Sequence, residues 1–129
     1  GLTKVKSKID SGTRVYTQKV AVKALAAYTS DEAPGFLKKN NRILKERRDL
    51  LVEALCKIGY KCKKPKATFY VWVNCKGDSM RFATKLLDVG VAVTPGIGFG
   101  KYGEGYARIT FTQRKERIIE ACSRMANAL

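Results

Sequence analysis

The fold is decided by residues 91 to 112, which read VAVTPGIGFGKYGEGYARITFT. Two runs of β-branched and aromatic residues, 91–94 and 106–112, flank a loop that begins at Pro95 and ends at Gly105. β-Branched and aromatic residues favour strands, and glycines permit tight turns. The segment therefore predicts two strands joined by a glycine-rich loop.

The second of these strands alternates in character along its length. Successive side chains of a strand point to opposite faces, so Arg108 is predicted to lie opposite its neighbours Ala107 and Ile109. One face then carries Tyr106, Arg108, Thr110 and Thr112, and the other carries Ala107, Ile109 and Phe111.

The rest of the chain predicts helices and short strands around this segment. Asp78 or Ser79 is expected to start a helix that Gly90 ends, and Thr29, Ser30 and Asp31 are candidate helix caps. Apolar periodicity predicts helices over residues 2–9, 13–28 and 34–58. It also predicts a last helix whose side chains Ile118, Cys122 and Met125 face the core. Strands are predicted over residues 60–63 and 67–74.

These elements predict an α/β fold of the two-layer α+β type. A small mixed sheet with packed helices is expected over residues 60–129, preceded by a long connecting helix over residues 34–59. Residues 1–33 do not obviously belong to that sheet.

Composition excludes several functional classes. The chain has 129 residues, of which 45% are hydrophobic, so an ordinary apolar core is expected. It has no histidine, which excludes the Ser-His-Asp triad, the Cys-His pair and nearly all catalytic zinc sites. The four cysteines, Cys56, Cys62, Cys75 and Cys122, have no metal-binding spacing. We therefore expect no metal site, free thiols and a cytoplasmic protein with no membrane span.

The charge suggests an alternative function. The chain carries 26 Lys plus Arg against 11 Asp plus Glu, a net charge of +15. Basic and aromatic residues alternate from Tyr60 to Trp72, a pattern that is compatible with a nucleic-acid-binding or polyanion-binding module without enzymatic activity. The interpretation we favour is a solvated basic helix followed by a core strand whose aromatic side chains point inward, so a nucleic-acid partner is not expected.

The glycines of the loop match no phosphate-binding motif in its required context. A dinucleotide fingerprint must open a helix, whereas this loop leads into a strand. Gly96 and Gly100 are one residue too close for a P-loop, and Lys101 is followed by Tyr102 instead of Ser or Thr. Gly98, Gly100 and Gly103 have the spacing of a protein-kinase loop, but the chain contains no catalytic-loop motif.

Two longer stretches carry a family resemblance. Residues 66–72, KATFYVW, and residues 91–109 resemble the carboxy-terminal part of class I/II pyridoxal-phosphate-dependent aminotransferases of fold type I. Residues 9–13, IDSGT, with Gln18, and residues 47–51, RRDLL, are similar to the LL-diaminopimelate aminotransferase branch in particular. The resemblance covers nearly the entire chain.

The resemblance implies a role for Arg108. In this family, the arginine after the P-G-x-x-F-G loop holds the substrate's α-carboxylate, and a guanidinium suits that role because it offers two parallel donors. Gly98 and Phe99 are the other substrate-binding candidates that the resemblance implies. No catalytic, cofactor-binding or metal-binding residue is expected within this chain.

The resemblance also implies an organisation and a reaction. Residues 1–33 would be the tail of a large cofactor-binding domain, 34–59 the connecting helix and 60–129 the carboxy-terminal small domain. The parent enzyme would be a homodimer that uses pyridoxal 5'-phosphate to transfer an amino group between an amino acid and a 2-oxo acid, for example LL-diaminopimelate and 2-oxoglutarate. The Schiff-base lysine would lie outside this chain, so the fragment alone would be inactive.

Overall fold

The computed structural model describes residues 2–9, 12–28 and 33–129. The chain divides into two compact units, Gly1–Asn40 and Asn41–Leu129. The candidate cap residues Thr29, Ser30 and Asp31 lie outside the described residues, as do Asp10 and Ser11 of the sequence pattern at residues 9–13.

The first unit consists of helices with exposed side chains. Helix α1 spans Leu2–Ile9, helix α2 spans Val15–Ala26, and helix α3 begins at Gly35. None of the side chains described in residues 2–40 is buried. Large apolar side chains are among the exposed ones: Leu2, Ile9, Tyr16 and Leu25 are each at least 70% exposed. This unit therefore has no apolar core of its own among the described residues.

The second unit contains the remaining helices. Helix α3 continues to Lys57, helix α4 spans Ser79–Asp88, and helix α5 spans Lys115–Ala128. The Asp78 carboxylate caps α4 by accepting a hydrogen bond of 2.7 Å from the backbone N–H of Arg81. Gly59 and Gly90 follow α3 and α4 with φ angles of +84° and +75°, which confirms both glycines as helix stops.

Three short strands form the sheet of the second unit. Strand β1 spans Tyr70–Asn74, β2 spans Thr94–Pro95 and β3 spans Tyr106–Thr110, in the spatial order β1-β3-β2. Both pairings are antiparallel, whereas a mixed sheet was expected. The residues of a short strand specify which faces its side chains occupy but not the direction in which its neighbour runs.

The strands are also shorter than the sequence predicts, for identifiable reasons. Thr68 has a φ angle of +67°, so the extended backbone begins only after it. Pro95 has no backbone N–H, which limits the pairing of β2. The strand predicted over residues 60–63 is reduced to one antiparallel bridge between Cys62 and Val73.

The apolar core lies against one face of this sheet. Val71 and Val73 of β1 and Ala107 of β3 are fully buried, and Ile109 is 6% exposed. Helices α3, α4 and α5 supply most of the remaining core side chains: Leu51, Val52, Leu55, Phe82, Leu86, Ile118 and Met125. This packing of helices on a small sheet confirms the predicted two-layer fold class.

The aromatic residues of β1 lie elsewhere. Tyr70 is half-buried and Trp72 is 41% exposed, on the face opposite Val71 and Val73. The expectation that these aromatic side chains point into the core was therefore wrong, because the valines of the same strand occupy the buried face. Among the helices that the structure describes, none combines the length and apolar character needed to cross a membrane.

Candidate functional site

Arg108 occupies the middle of the open face of the sheet. It is paired with Trp72 of β1 on one side and with Thr94 of β2 on the other. The alternation predicted for its strand is confirmed over residues 106–111, since Ala107 and Ile109 are buried while Tyr106 is 42% exposed. Arg108 is half-buried. The pleat therefore turns its side chain away from the apolar core.

Aromatic rings surround the guanidinium group of Arg108. Its central carbon lies 4.1 Å from the ring centre of Tyr70 and 4.5 Å from the ring centre of Phe99. Phe99 in turn packs edge-on against Trp72, with 5.1 Å between the ring centres. Each ring attracts the cation through its electron-rich face. Strand β1 and the glycine-rich loop thus converge on the arginine.

The N–H donors of Arg108 are not used within the described chain. Arg47 and Arg48 are also half-buried, but Arg47 donates to the carbonyl of Thr112, and Arg48 donates to the carbonyl of Pro65 and the carboxylate of Asp49. None of the residues described in the structure accepts a hydrogen bond from the guanidinium of Arg108. A half-buried cation with free donors is suited to binding an anion.

The loop between β2 and β3 is compact. It consists of two short 3-10 turns, Gly96–Phe99 and Lys101–Gly103. A Cβ atom on Gly96 would lie 1.9 Å from the carbonyl oxygen of Gly103, and one on Gly103 would lie 2.1 Å from that of Gly96. The two turns therefore contact each other through bare backbone, which only glycine permits at this distance.

Gly98 and Phe99 differ in what the structure shows about them. Phe99 contacts Arg108 directly and is 48% exposed, so its ring is available to a ligand. A Cβ atom on Gly98 would meet no atom within 4 Å. No close packing therefore requires glycine at position 98, and its role in substrate binding stays a prediction.

A polar link joins the loop to the start of helix α4. The Glu104 carboxylate accepts hydrogen bonds from the backbone N–H of Ser79 at 2.8 Å and from its hydroxyl at 2.9 Å. The same hydroxyl accepts a bond of 3.3 Å from the backbone N–H of Ile97. The bond donated by the Ser79 backbone N–H and, after it, the bond donated by the Ser79 hydroxyl hold the pKa of Glu104 below its usual range. Sequence reasoning identified Ser79 only as a helix start and missed this link.

The cysteines do not form a reactive centre. All four thiols are free, and the residues that the structure describes contain no cluster of His, Cys, Asp and Glu that could hold a metal ion. Burial raises the pKa of Cys75 to about 11, with the charges of Glu104 and Asp78 adding to it. Burial also raises the pKa of Cys62 to about 11. Both thiols stay protonated at neutral pH and are therefore poor nucleophiles.

A second surface on the open face is strongly basic. Beyond Trp72, an open groove of about 720 Å³ runs along the edge of β1. It contains three lysines and two exposed aromatic rings, and no acidic residue lines it. We call this surface the basic groove; it is lined by Gly59, Lys61, Cys62, Lys63, Trp72, Asn74, Lys76 and Tyr106.

Comparison with known proteins decides the family. The sequence profile described as aminotransferase class I and II matches residues 2–125. The chain belongs to this aminotransferase family. The resemblance noted in residues 66–72 and 91–109 is thereby confirmed.

Relatives of the LL-diaminopimelate aminotransferase type match nearly the entire chain. The enzyme of that name from Maridesulfovibrio salexigens is 43% identical over 129 residues, and that from Natranaerobius thermophilus is 45% identical over 127 residues. These alignments cover 98% and 96% of this chain but only 32% of each relative. The chain thus spans about a third of the length of the relatives that it matches.

Solved aminotransferases share the fold. Thermus thermophilus aspartate aminotransferase with maleate is 34% identical, with a TM-score of 0.69 over 73% of this chain and 25% of the enzyme. The aromatic aminotransferase of Pyrococcus horikoshii is also 34% identical, with a TM-score of 0.67 over 70% of this chain and 25% of that enzyme. The three-stranded sheet and its helices are therefore an aminotransferase fold.

Proposed function

We propose that this chain forms the carboxy-terminal part of a pyridoxal-phosphate-dependent aminotransferase, in which Arg108 binds the α-carboxylate of the substrate. The observation that carries the proposal is the half-buried guanidinium whose donors no described residue uses. Two parallel N–H groups of one guanidinium match the two oxygens of a carboxylate, and this fixes the orientation of the amino acid as well as its position.

The loop completes the substrate site in this proposal. Phe99 forms an apolar wall beside Arg108, supported by Trp72 from the strand. Gly98 faces open space, so its backbone can approach the substrate closely without hindrance from a side chain. Glu104 and Ser79 hold the loop in this position but do not themselves contact the arginine in our proposal.

The names of the relatives suggest the substrates. Eight relatives that are 40–45% identical to this chain are LL-diaminopimelate aminotransferases. We therefore propose LL-diaminopimelate as the amino donor and 2-oxoglutarate as the acceptor. The test is a comparison of donors: LL-diaminopimelate should be preferred over aspartate and aromatic amino acids at equal concentration.

The cofactor requires residues that this site does not contain. Pyridoxal phosphate supplies an electron sink for the bond changes at the amino-acid α-carbon, and it needs a lysine for its imine and an acidic partner for its ring nitrogen. The side chains that contact Arg108 are aromatic. The described residues around Arg108 therefore do not fit the cofactor, and we assign its lysine to a part of the protein outside this chain.

This assignment gives the regions of the chain their roles. Residues 1–33 would be the tail of the cofactor-binding domain, 34–59 the connecting helix and 60–129 the small domain. The exposed apolar side chains of α1 and α2 support this division, since they need a partner surface to become buried. We also propose that the complete enzyme is a cytoplasmic homodimer. The isolated chain supplied with pyridoxal phosphate should show no transamination, and turnover by it would contradict this assignment.

The decisive experiment replaces Arg108 with lysine in the complete enzyme. Arg108→Lys keeps the charge but loses the paired donors, so KM for both the amino acid and the 2-oxo acid should rise by about 10²-fold. The absorbance of the bound cofactor should not change. Arg114→Lys is the matched control, because Arg114 is exposed and its side chain does not cap helix α5. Equal kinetics for the two variants would refute the role of Arg108.

The basic groove favours a second candidate function, the binding of a polyanion. Lys61, Lys63 and Lys76 could contact phosphates while Trp72 and Tyr106 stack on bases. Because Trp72 is the only tryptophan in the chain, its fluorescence reports directly on the groove.

A salt titration separates this candidate from the first. Single-stranded oligonucleotide binding that survives physiological ionic strength, and is lost in a Lys61→Ala/Lys63→Ala variant, would support it. Lys19→Ala/Lys23→Ala removes the same charge from helix α2 and is the control. Binding that disappears at physiological salt, or that both double variants weaken equally, would leave non-specific charge attraction and reject a dedicated site.

A further inference from the structure

Arg108 is held by aromatic rings, and we propose that Tyr70 is the positioning residue that sets the orientation of its guanidinium. This inference rests on the assignment of Arg108 to the substrate carboxylate. It adds a residue of strand β1 to a site that sequence reasoning placed entirely on β3 and the preceding loop.

Strand pairing explains why Tyr70 reaches Arg108. Trp72 is directly opposite Arg108, and Tyr70 is opposite Thr110, two residues further along β3. Tyr70 and Arg108 are therefore diagonal neighbours on the same face, a separation that long and aromatic side chains span. The observed distance of 4.1 Å between the guanidinium carbon and the ring centre confirms the contact.

Tyr70 is a firmer support than Phe99. Tyr70 belongs to a strand whose register with β3 extends over five residue pairs, and its ring packs against that of Phe69, with 4.4 Å between the centres. Phe99 lies in a loop and is 48% exposed. A functional group is held more precisely by a strand than by a loop.

A ring contact suits an arginine that must bind an anion. A hydrogen-bond acceptor would also fix the guanidinium, as Thr112 does for Arg47, but it would occupy one of the donors. A ring attracts the cation through its face and leaves the N–H groups in the guanidinium plane available. Restricting the side chain before the substrate arrives lowers the entropy lost on binding.

The role predicted for Tyr70 belongs to its ring and not to its hydroxyl. In the complete enzyme, Tyr70→Leu should raise KM for the amino acid and the 2-oxo acid by roughly tenfold, the order expected from one cation–π contact at a partly desolvated site. Tyr70→Phe should restore KM to near the original value. The absorbance of the bound cofactor should be unchanged in both variants.

The matched control is Tyr106→Leu. Tyr106 lies on the same open face and is as exposed as Trp72, but its ring makes no contact with the Arg108 guanidinium in the described structure. The Tyr106→Leu variant should keep the original KM for both the amino acid and the 2-oxo acid. If Tyr106→Leu raises KM as much as Tyr70→Leu does, loss of an aromatic side chain from the sheet explains the effect and the inference is wrong.

A double-mutant cycle tests whether Tyr70 acts through Arg108. In an Arg108→Lys background, Tyr70→Leu should raise KM by less than twofold, because the group that it positions is already gone. A full additional tenfold increase would mean that Tyr70 contacts the substrate independently, which overturns the inference. A Tyr70→Phe variant as impaired as Tyr70→Leu would also overturn it.

The cycle distinguishes this inference from the proposed function. If Arg108→Lys leaves KM unchanged, the role of Arg108 itself is refuted. If Arg108→Lys raises KM but Tyr70→Leu does not, the proposed function stands and only the positioning role of Tyr70 fails. Urea unfolding of each variant shows whether a loss of folding accounts for a change in KM.

Discussion

The two faces of the sheet are built from alternate residues of the same strands, yet they differ in chemistry and packing. One face carries Val71, Val73, Ala107 and Ile109, all at most 6% exposed. The other carries Tyr70, Trp72, Tyr106 and Arg108, which are half-buried or exposed. The pleat of a strand thus separates a buried apolar face from an accessible aromatic and polar face within a few residues.

The open face is nevertheless organised. Its arginine is held by rings from two different segments, and its loop is attached to helix α4 through Glu104 and Ser79. Helix α4 in turn packs the side chains of Phe82 and Leu86 into the apolar core. The buried face therefore supports the open face indirectly, and the two can be separated by mutation.

The largest expected effect falls on the buried face. Ile109→Ala should lower the free energy of unfolding by about 2–5 kcal/mol, because it removes apolar contacts and leaves a cavity. Tyr106→Ala, three residues earlier on the open face, should cost less than about 1 kcal/mol. Urea unfolding curves of both variants provide the measurement. Similar losses would show that the two faces are not separated as described.

The next effect concerns the loop that brings Phe99 to the open face. Gly96→Ala places a methyl group against the backbone of Gly103 and Tyr106, so we expect a loss of about 1–3 kcal/mol from overpacking. Gly98→Ala meets open space and should change stability by less than about 0.5 kcal/mol. Chemical denaturation of the two variants, compared in one buffer, checks this. A destabilised Gly98→Ala variant would contradict the described geometry.

The smallest effect is a pH dependence of the link between the loop and helix α4. Hydrogen bonds from Ser79 lower the pKa of Glu104 in the folded chain, so their stabilisation is present above the unfolded-state pKa and is lost as the pH falls through the lower folded-state pKa. Glu104→Gln should therefore lower the free energy of unfolding at neutral pH and flatten the decline of stability as the pH falls below the ordinary Glu pKa of about 4.3.

The control for this pH dependence is Glu46→Gln. Glu46 is an exposed carboxylate of α3 and forms no ion pair with a residue that the structure describes. Its substitution should leave the shape of the acid unfolding profile unchanged. Parallel profiles for the original chain and the Glu104→Gln variant would show that the link contributes nothing measurable.

Local pattern was sufficient for much of the fold. The caps and stops at Asp78, Gly59 and Gly90 are confirmed, because a helix end depends on the conformation and side chain of a few neighbouring residues. The alternation in β3 is confirmed for the same reason. The strand limits were less accurate, since the positive φ angle of Thr68 has no strong signal in its residue type.

The candidate site was predicted in part. The sequence pattern singled out Arg108 and Phe99, and the structure brings these two side chains together. It did not indicate Tyr70 as a contact of Arg108, because that contact depends on the register between β1 and β3. The hydrogen bonds between Ser79 and Glu104 join residues 25 positions apart, so they too depend on tertiary packing and were not predicted.

The amino-acid sequence was enough to predict the family and the helix ends and to single out Arg108 as the candidate substrate-binding residue, because each of these predictions depends on residue types at short spacing. Only the tertiary structure decided that the sheet is antiparallel, that the aromatic residues of β1 lie outside the core and that the donors of Arg108 stay unused. Each of these three features depends on which segments, distant in the sequence, pack together. The burial of one continuous apolar face determines that packing.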